Sequence, residues 1–325
     1  MNAKAPRLPI LDAARGAALA AMAAYHFIWD LGFFGFIESA RLQDAWFKGF
    51  GHAIATSFLL IVGASLALAA QGGFDGRAYA RRIALVFAAA MAVTAATALA
   101  FPDSFVAFGI LHCIVAASLL GVFLLERSAL VIGIVGLVVA VLPLFVQAPA
   151  LDATNWWSGL GVNEPRSHDW RPFFPWAGFA LIGLAAAKWA LAHGLPGALT
   201  TWRATGRAER ALAWGGRHSL AFYLAHQPIL FALTFIAAQI AGPGQAPAPQ
   251  PMFETACASQ CVRAGGERGF CEAACACVVR EAQGAGLWDK VAGGRMTDND
   301  RTRYDALTQQ CLRTTPRTPP APSSP

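Results

Sequence analysis

The chain has 325 residues, 56% of them hydrophobic and 14% charged, where a soluble domain carries about 25% charged residues. That composition excludes an ordinary soluble enzyme. The formal net charge of +6 is no nucleic-acid footprint, because the first 241 residues hold 16 basic and 11 acidic side chains and the remaining 84 hold 9 and 8. An apolar body with sparse, mostly basic charge is followed by a polar, nearly balanced tail.

Apolar runs of about 20 residues, enough to cross a hydrocarbon core of roughly 30 Å, fall near 14–35, 50–70, 82–101, 105–125, 129–147, 172–195 and 217–241. The pattern predicts an all-α polytopic integral membrane bundle of about seven spans, with a small, cysteine-rich, helical C-terminal extension. The first run is interrupted by Arg15, His26 and Asp30, so it reads as a span and not as a cleaved signal peptide. Basic residues accumulate in cytoplasmic loops. An inside N-terminus places Lys4, Arg7, Arg15, Arg77, Arg81, Arg82, Arg127, Arg203, Arg207, Arg210 and Arg217 on that side, against Arg41, Lys48, Arg166 and Arg171 outside. An odd number of spans then delivers the tail to the far side of the membrane.

The tail carries Cys257, Cys261, Cys271, Cys275, Cys277 and Cys311, an even number suited to disulfides in an oxidising compartment. In C-x3-C-x9-C-x3-C each pair of cysteines four apart shares a helix face, so two rungs fit between two short helices and leave Cys277 and Cys311 as a third pair. Fifteen pairings are formally open. A zinc site and a redox pair are the competing readings; the tail has no histidine, and no metal is expected. The domains expected are a membrane body over 1–245, a cysteine-rich extracytoplasmic tail over 246–315 and a disordered Pro-rich end over 316–325, with a linker over 242–252.

Ionisable residues inside a span are costly and mark functional positions. Eleven residues from Arg15 to His26 turn a helix through about 1,100°, roughly 20° over three turns, so the two share a face about 16 Å apart along the axis. Asp30 lies four residues beyond His26, close enough for its carboxylate to hold one ring nitrogen and leave the other as base or nucleophile. His52, His112 and His226 fall at comparable depth, and a polar interior lined by His26, Asp30, His52, His112 and His226 follows. Packing histidines are the plainer alternative. Arg81, Arg82 and Arg217 satisfy topology alone and would also suit a phosphate-rich ligand. Trp156, Trp157, Trp170, Phe173, Phe174 and Trp176 fit an interfacial aromatic belt, or a platform for a sugar ring.

Five ordered segments, RGAALAAMAAYHFIWDL, FLLIVGASLALA, FGILHCIVAASLL, DWRPFFPWAGFALIGLAAA and GRHSLAFYLAHQPIL, resemble the blocks of the bacterial membrane family related to the catalytic domain of heparan-alpha-glucosaminide N-acetyltransferase. The likeness spans about residues 8–235. The Arg15-to-His26 element is also similar to the opening motif of the membrane acyltransferases that modify surface glycans. The resemblance implies acetyl transfer from cytoplasmic acetyl-CoA to an envelope glycan or amino sugar outside, in a bacterial inner membrane. It puts His26 in the catalytic role, Asp30 orienting it, and Arg15 on the donor. In the lysosomal enzyme of the family the active histidine follows the first span on the luminal side, a description His52 meets best, so both stand as candidates. A tetrahedral oxyanion needs a donor, which His112, Tyr223 or Gln227 could supply, and His226 joins them in the cavity. Membrane lipid is the surrounding partner and no nucleic acid is expected. A proton-coupled transporter or flippase, or a non-catalytic subunit displaying the disulfide-rich tail, are the alternative functions.

Overall fold

A computed structural model describes residues 8–37, 41–42, 44–71, 73–102, 104–154, 156–165, 167–241, 250–292 and 296–316. Lys4, Arg7, Arg166, most of the expected linker (242–249) and the Pro-rich end from 317 lie outside the described residues. Every regular element among those described is helical: α1 (Pro9–Phe33), α2 (Ala45–Ala70), α3 (Gly76–Ala100), α4 (Ile110–Phe123), α5 (Ala129–Val141), α6 (Leu151–Thr154), α7 (Phe173–His193), α8 (Gly197–Thr201), α9 (Arg207–Arg217), α10 (Ser219–Ala241), α11 (Gln250–Arg263), α12 (Arg268–Gly284), α13 (Trp288–Ala292) and α14 (Asp298–Thr314). Alanine and leucine dominate the long helices, the residues that lose least on adopting helical geometry. Their ends are set by side chains: Asp75 accepts from the Ala78 N–H at 3.0 Å, Ser128 from Val131 at 3.3 Å, and Glu209 from Thr205 and Gly206 at 2.7 and 3.0 Å.

All seven expected segments are helices, but among the described residues four are both long and apolar enough to cross a membrane: α2, α3, α7, and α10 from Ser219 to Ile240. The expected count of about seven exceeds that for two reasons. Helix α1 has the length and carries Asp12, Arg15 and Asp30 within it. Helices α4 and α5 are apolar, but with 14 and 13 residues they rise only about 20 Å. Helix α5 nevertheless exposes Leu130, Ile134 and Leu137, one stripe at i, i+4 and i+7, as a helix facing hydrocarbon would. The linker expectation also ends too late. Gln250, Pro251 and Met252 belong to α11, where a proline in the first turn sacrifices no helical hydrogen bond.

The described residues form two compact units, one within Met1–His26 and Gly49–Leu230, the other within Phe27–Lys48 and Phe231–Pro325. In the first, α7 is the central helix, and Leu59, Cys113, Ile132, Ala177, Leu181 and Leu184 form its buried core. Glycine lets helices meet here: a Cβ on Gly63 would stand 1.8 Å from the Ala180 carbonyl oxygen, and one on Gly183 2.2 Å from that of Leu60. The α2–α7 contact is therefore backbone against backbone, the geometry small residues permit in membrane helix pairs. Lys188 of α7 donates its ammonium to the carbonyls of Leu125 and Arg127, which the α4–α5 turn leaves without helical partners.

In the second unit, α11 and α12 are joined by Cys257–Cys275 and Cys261–Cys271, and α14 is tied to α12 by Cys277–Cys311. Two rungs and a third pair are the arrangement the spacing suggested. Around them Val278, Val279, Ala282 and Leu287 are buried. Cross-links compensate for the small core such a segment can build. Asp300, also buried, accepts from the Lys290 ammonium at 2.8 and 3.0 Å and from the Thr297 hydroxyl at 2.7 Å.

Those bonds hold the Asp300 carboxyl at about 2, below its ordinary 3.8, with the Lys290 hydrogen bond the largest cause. A depressed folded-state value stabilises the fold above the unfolded value and loses that contribution as pH falls through the folded one. Hydrogen exchange of peptides covering 288–314 in the full chain should therefore show protection dropping between about pH 4 and about pH 2. Asp300→Asn should begin with lower protection and show little change over that window.

Candidate active site

Arg15 projects from the second turn of α1 toward α9 and α2. Glycines make this possible. A Cβ on Gly216 would lie 1.8 Å from the Asp12 carbonyl oxygen, and one on Gly16 2.0 Å from that of Leu212, so α1 and α9 pack backbone to backbone. Within that junction the Arg15 guanidinium donates to Asp12 Oδ1 at 3.1 Å, to the Gly216 carbonyl at 3.3 Å and to Ser65 Oγ at 2.9 Å. Ionised donors make stronger hydrogen bonds than neutral ones, and three partners fix the plane of the group. Ser65 and Gly216 carry no charge, and nothing in their spacing links them to Arg15.

Beside Arg15 opens a cavity of about 1000 Å³, at the upper end for small-molecule and cofactor sites. Leu19, Phe58, Val62, Leu111 and Ile114 line its apolar part, and Arg15, Arg81, Arg82 and Arg217 its charged part. The four arginines assigned to a phosphate-rich ligand, drawn from α1, α3 and α9, thus border one space. Against them stands one carboxylate, Asp12, already engaged by Arg15. The surplus of positive charge in a low-dielectric cleft attracts a polyanion, and guanidinium groups suit phosphate oxygens. Tyr223 of α10 also lines the cavity.

His26 and His226 lie with their ring centroids 5.1 Å apart, and Tyr25 stands edge-on to His26 at 5.5 Å. The His226 Nδ1–H donates to the Tyr223 carbonyl at 2.7 Å. That bond fixes the tautomer and leaves the lone pair on Nε2, an atom that is buried and has no hydrogen-bond partner among the described residues. The Tyr223 ring is 5.8 Å from the His226 ring, so one tyrosine touches both the cavity and the histidine pair. Gln227 is the half-buried neighbour of His226 on α10. Asp30, fully buried, follows His26 by four residues on α1 and belongs to the second unit.

The other two histidines that the sequence marked as candidates sit elsewhere. His52 is exposed on α2, its ring 5.3 Å from Trp176. His112 is the third residue of α4; its Nδ1 accepts the Gly109 N–H at 3.2 Å, and its Nε2 lies 3.5 Å from Thr94 Oγ1. Thr94 gives its own proton to the Val106 carbonyl at 2.6 Å, so its oxygen can receive a proton from Nε2. Nδ1 of His112 thereby caps α4 while Nε2 faces Thr94 of α3, which is the plainer of the two readings its sequence position allowed. Neither histidine lines the large cavity. A second, tight gap is bordered by His112, Asp169 and Tyr223.

Asp169 and Arg171 were not singled out by sequence as site residues, although both stand in the D-W-R-P-F-F-P-W segment. The Asp169 carboxylate accepts from the Ile110 N–H at 2.9 Å at the start of α4 and meets Arg171 at 3.9 Å. Arg171 in turn lies over the Trp176 ring at 5.1 Å, a cation–π distance. Among the described residues no group of three or more histidine, cysteine, aspartate or glutamate side chains could hold a metal. His112→Ala should remove one of the two side-chain acceptors at the start of α4, leaving Asp169, and lower stability by about 1 kcal/mol, read as a fall in thermal midpoint in detergent. His52→Ala should lower it by less.

The sequence profile of the family described as heparan-alpha-glucosaminide N-acetyltransferase, catalytic, matches residues 7–228. No curated protein and no solved structure gives a significant match. The matched region takes in every residue bordering the large cavity and both members of the histidine pair, and it leaves the cysteine-rich segment outside. With its four membrane-length helices, the chain is an integral membrane protein, and it belongs to the heparan-alpha-glucosaminide N-acetyltransferase catalytic-domain family.

Proposed function

We propose that the protein is a membrane acyltransferase that takes acetyl from cytoplasmic acetyl-CoA and delivers it to an envelope glycan or amino sugar on the far side of the membrane. The observation that carries this reading is the convergence of Arg15, Arg81, Arg82 and Arg217 on one cavity of about 1000 Å³, within the region that matches an acetyltransferase family. The phosphates of CoA are held by those arginines. The pantetheine arm follows the apolar lining toward Tyr223, and His26 lies about 16 Å along α1 from Arg15, a span that an extended arm covers. The acyl group alone crosses, since CoA is too polar to follow and the acceptor too large to enter.

In this scheme His26 carries the acyl-transfer step, and Asp30, four residues further along α1, is the residue that orients it. His26 is favoured over His52 because it sits with His226 and Tyr223, the latter bordering the cavity, while His52 is exposed against Trp176. Tyr223 and Gln227 are the candidates for oxyanion donor. Residues 1–245 form the transferase domain. Residues 246–315 form a periplasmic module of the inner-membrane protein, and 316–325 a Pro-rich end. Three disulfides support placing that module in an oxidising compartment, and the basic mouth of the cavity supports a cytoplasmic N-terminus.

Membranes bearing the wild-type protein, His26→Ala, His52→Ala or Asp30→Asn, supplied with radiolabelled acetyl-CoA, test the scheme. Label should enter the envelope fraction with wild type and His52→Ala. It should fall about 100-fold or more with His26→Ala, and to an intermediate level with Asp30→Asn. No label above control membranes with wild type, or full labelling with His26→Ala, would refute it.

A further inference from the structure

Within the first unit, beside the histidine pair, lies a buried polar atom with no assigned role. The buried Nε2 of His226 has no hydrogen-bond partner among the described residues, while the Nδ1–H of the same ring is spent on the Tyr223 carbonyl at 2.7 Å. A buried acceptor left without a donor is disfavoured, and native structures keep such groups where they serve a purpose. This one lies in a ring 5.1 Å from the ring of His26, centroid to centroid. Tyr223, which borders the arginine-lined cavity, lies 5.8 Å from the same ring, centroid to centroid. His226 is therefore a neighbour both of the residue assigned to the acceptor's attack and of the tyrosine that borders the space assigned to the CoA thioester.

Resting on the acyltransferase reading above, we infer that His226 is a proton relay: it takes the acceptor's proton from His26 and hands it to the departing CoA sulfur. The acceptor's nitrogen or oxygen forms its bond to the acetyl carbon and gives its proton to the free nitrogen of His26. His26 releases the proton of its other nitrogen to His226 Nε2. The carbon–sulfur bond breaks, its electron pair stays on sulfur, and the thiolate takes the proton from Nε2 to leave as CoA thiol. The acceptor is acetylated, nothing is oxidised or reduced, and the proton travels opposite to the acetyl group. Throughout, Nδ1–H stays on the Tyr223 carbonyl, so His226 returns to the tautomer from which it began, while His26 ends as the opposite tautomer and is reset by proton exchange with water before the next turnover.

The arrangement explains why Nε2 is kept without a partner: a resident donor there would block the relay. It also separates two jobs that one histidine would otherwise perform at both ends of the reacting bond. Position does the rest, since α10 presents Tyr223 and His226 three residues apart, on one face of the helix.

The test measures initial rates of label transfer from radiolabelled acetyl-CoA to the envelope fraction, per mole of protein, in membranes bearing wild type, His226→Ala or His226→Gln. Turnover should fall about 100-fold or more in both variants, with the KM for acetyl-CoA within about threefold of wild type. Added imidazole should restore turnover about tenfold or more in His226→Ala, where it can occupy the vacated space, and should do nothing for His226→Gln. A structural role would not produce that rescue. Turnover within about threefold of wild type in His226→Gln, or a loss in His226→Ala that imidazole does not restore, overturns the relay. If His226→Ala does not accumulate, His226→Gln alone decides by its turnover. Wild-type membranes that transfer no label withdraw the acyltransferase reading and the relay together; wild-type transfer with an active His226→Gln withdraws the relay alone.

Discussion

An arginine side chain inserted among apolar helices has to be surrounded by acceptors or hydrated, and the first unit is arranged to meet that demand for Arg15. Asp12 is supplied from the same helix, Ser65 from α2 and the Gly216 carbonyl from α9. The last of these is reachable because Gly16 and Gly216 remove the side chains that would hold α1 and α9 apart. Bringing three helices to one guanidinium leaves a recess beside it, and Arg81, Arg82 and Arg217 border that recess. The charge that is hardest to bury thus defines where the recess is.

From the recess, polar groups continue along α1 and α10 through Tyr223 to the pair His26 and His226. The order is chemically sensible for a group transfer between two aqueous compartments. Fixed cations suit a donor that is a polyanion, and imidazoles suit the movement of protons near the reacting carbon. Asp169, Arg171 and Trp176 make a separate assembly that pins the segment before α7 onto the start of α4. Its task is to position helices, and it brings Asp169 beside the tight gap shared with His112 and Tyr223.

Much of this was legible in the sequence where the signal is local. Hydrophobic runs marked the helices, the interval from Arg15 to His26 placed both on one helix face, and cysteines four apart anticipated two rungs between α11 and α12 with Cys277 and Cys311 left to pair. What failed to show depends on contacts between helices. Ser65 and Gly216 become partners of Arg15 only when α2 and α9 arrive. The role of His112 was readable in principle, since Gly109 followed by His112 at the third helical position is a capping arrangement; its place in an apolar run drew the reading toward a cavity. The shortness of α4 and α5 was not readable, because the turn that divides them is held by tertiary bonds from Lys188, which hydropathy cannot register.

The central claim is that the arginine-bordered recess holds the phosphates of coenzyme A. Determining the structure of the full chain in lipid nanodiscs with coenzyme A present tests it directly. The account predicts phosphate density within hydrogen-bonding reach of Arg15, Arg81, Arg82 or Arg217, with the thiol end of the ligand at Tyr223. Coenzyme A bound at another surface, or a recess filled by lipid while the ligand stays in solution, would contradict it.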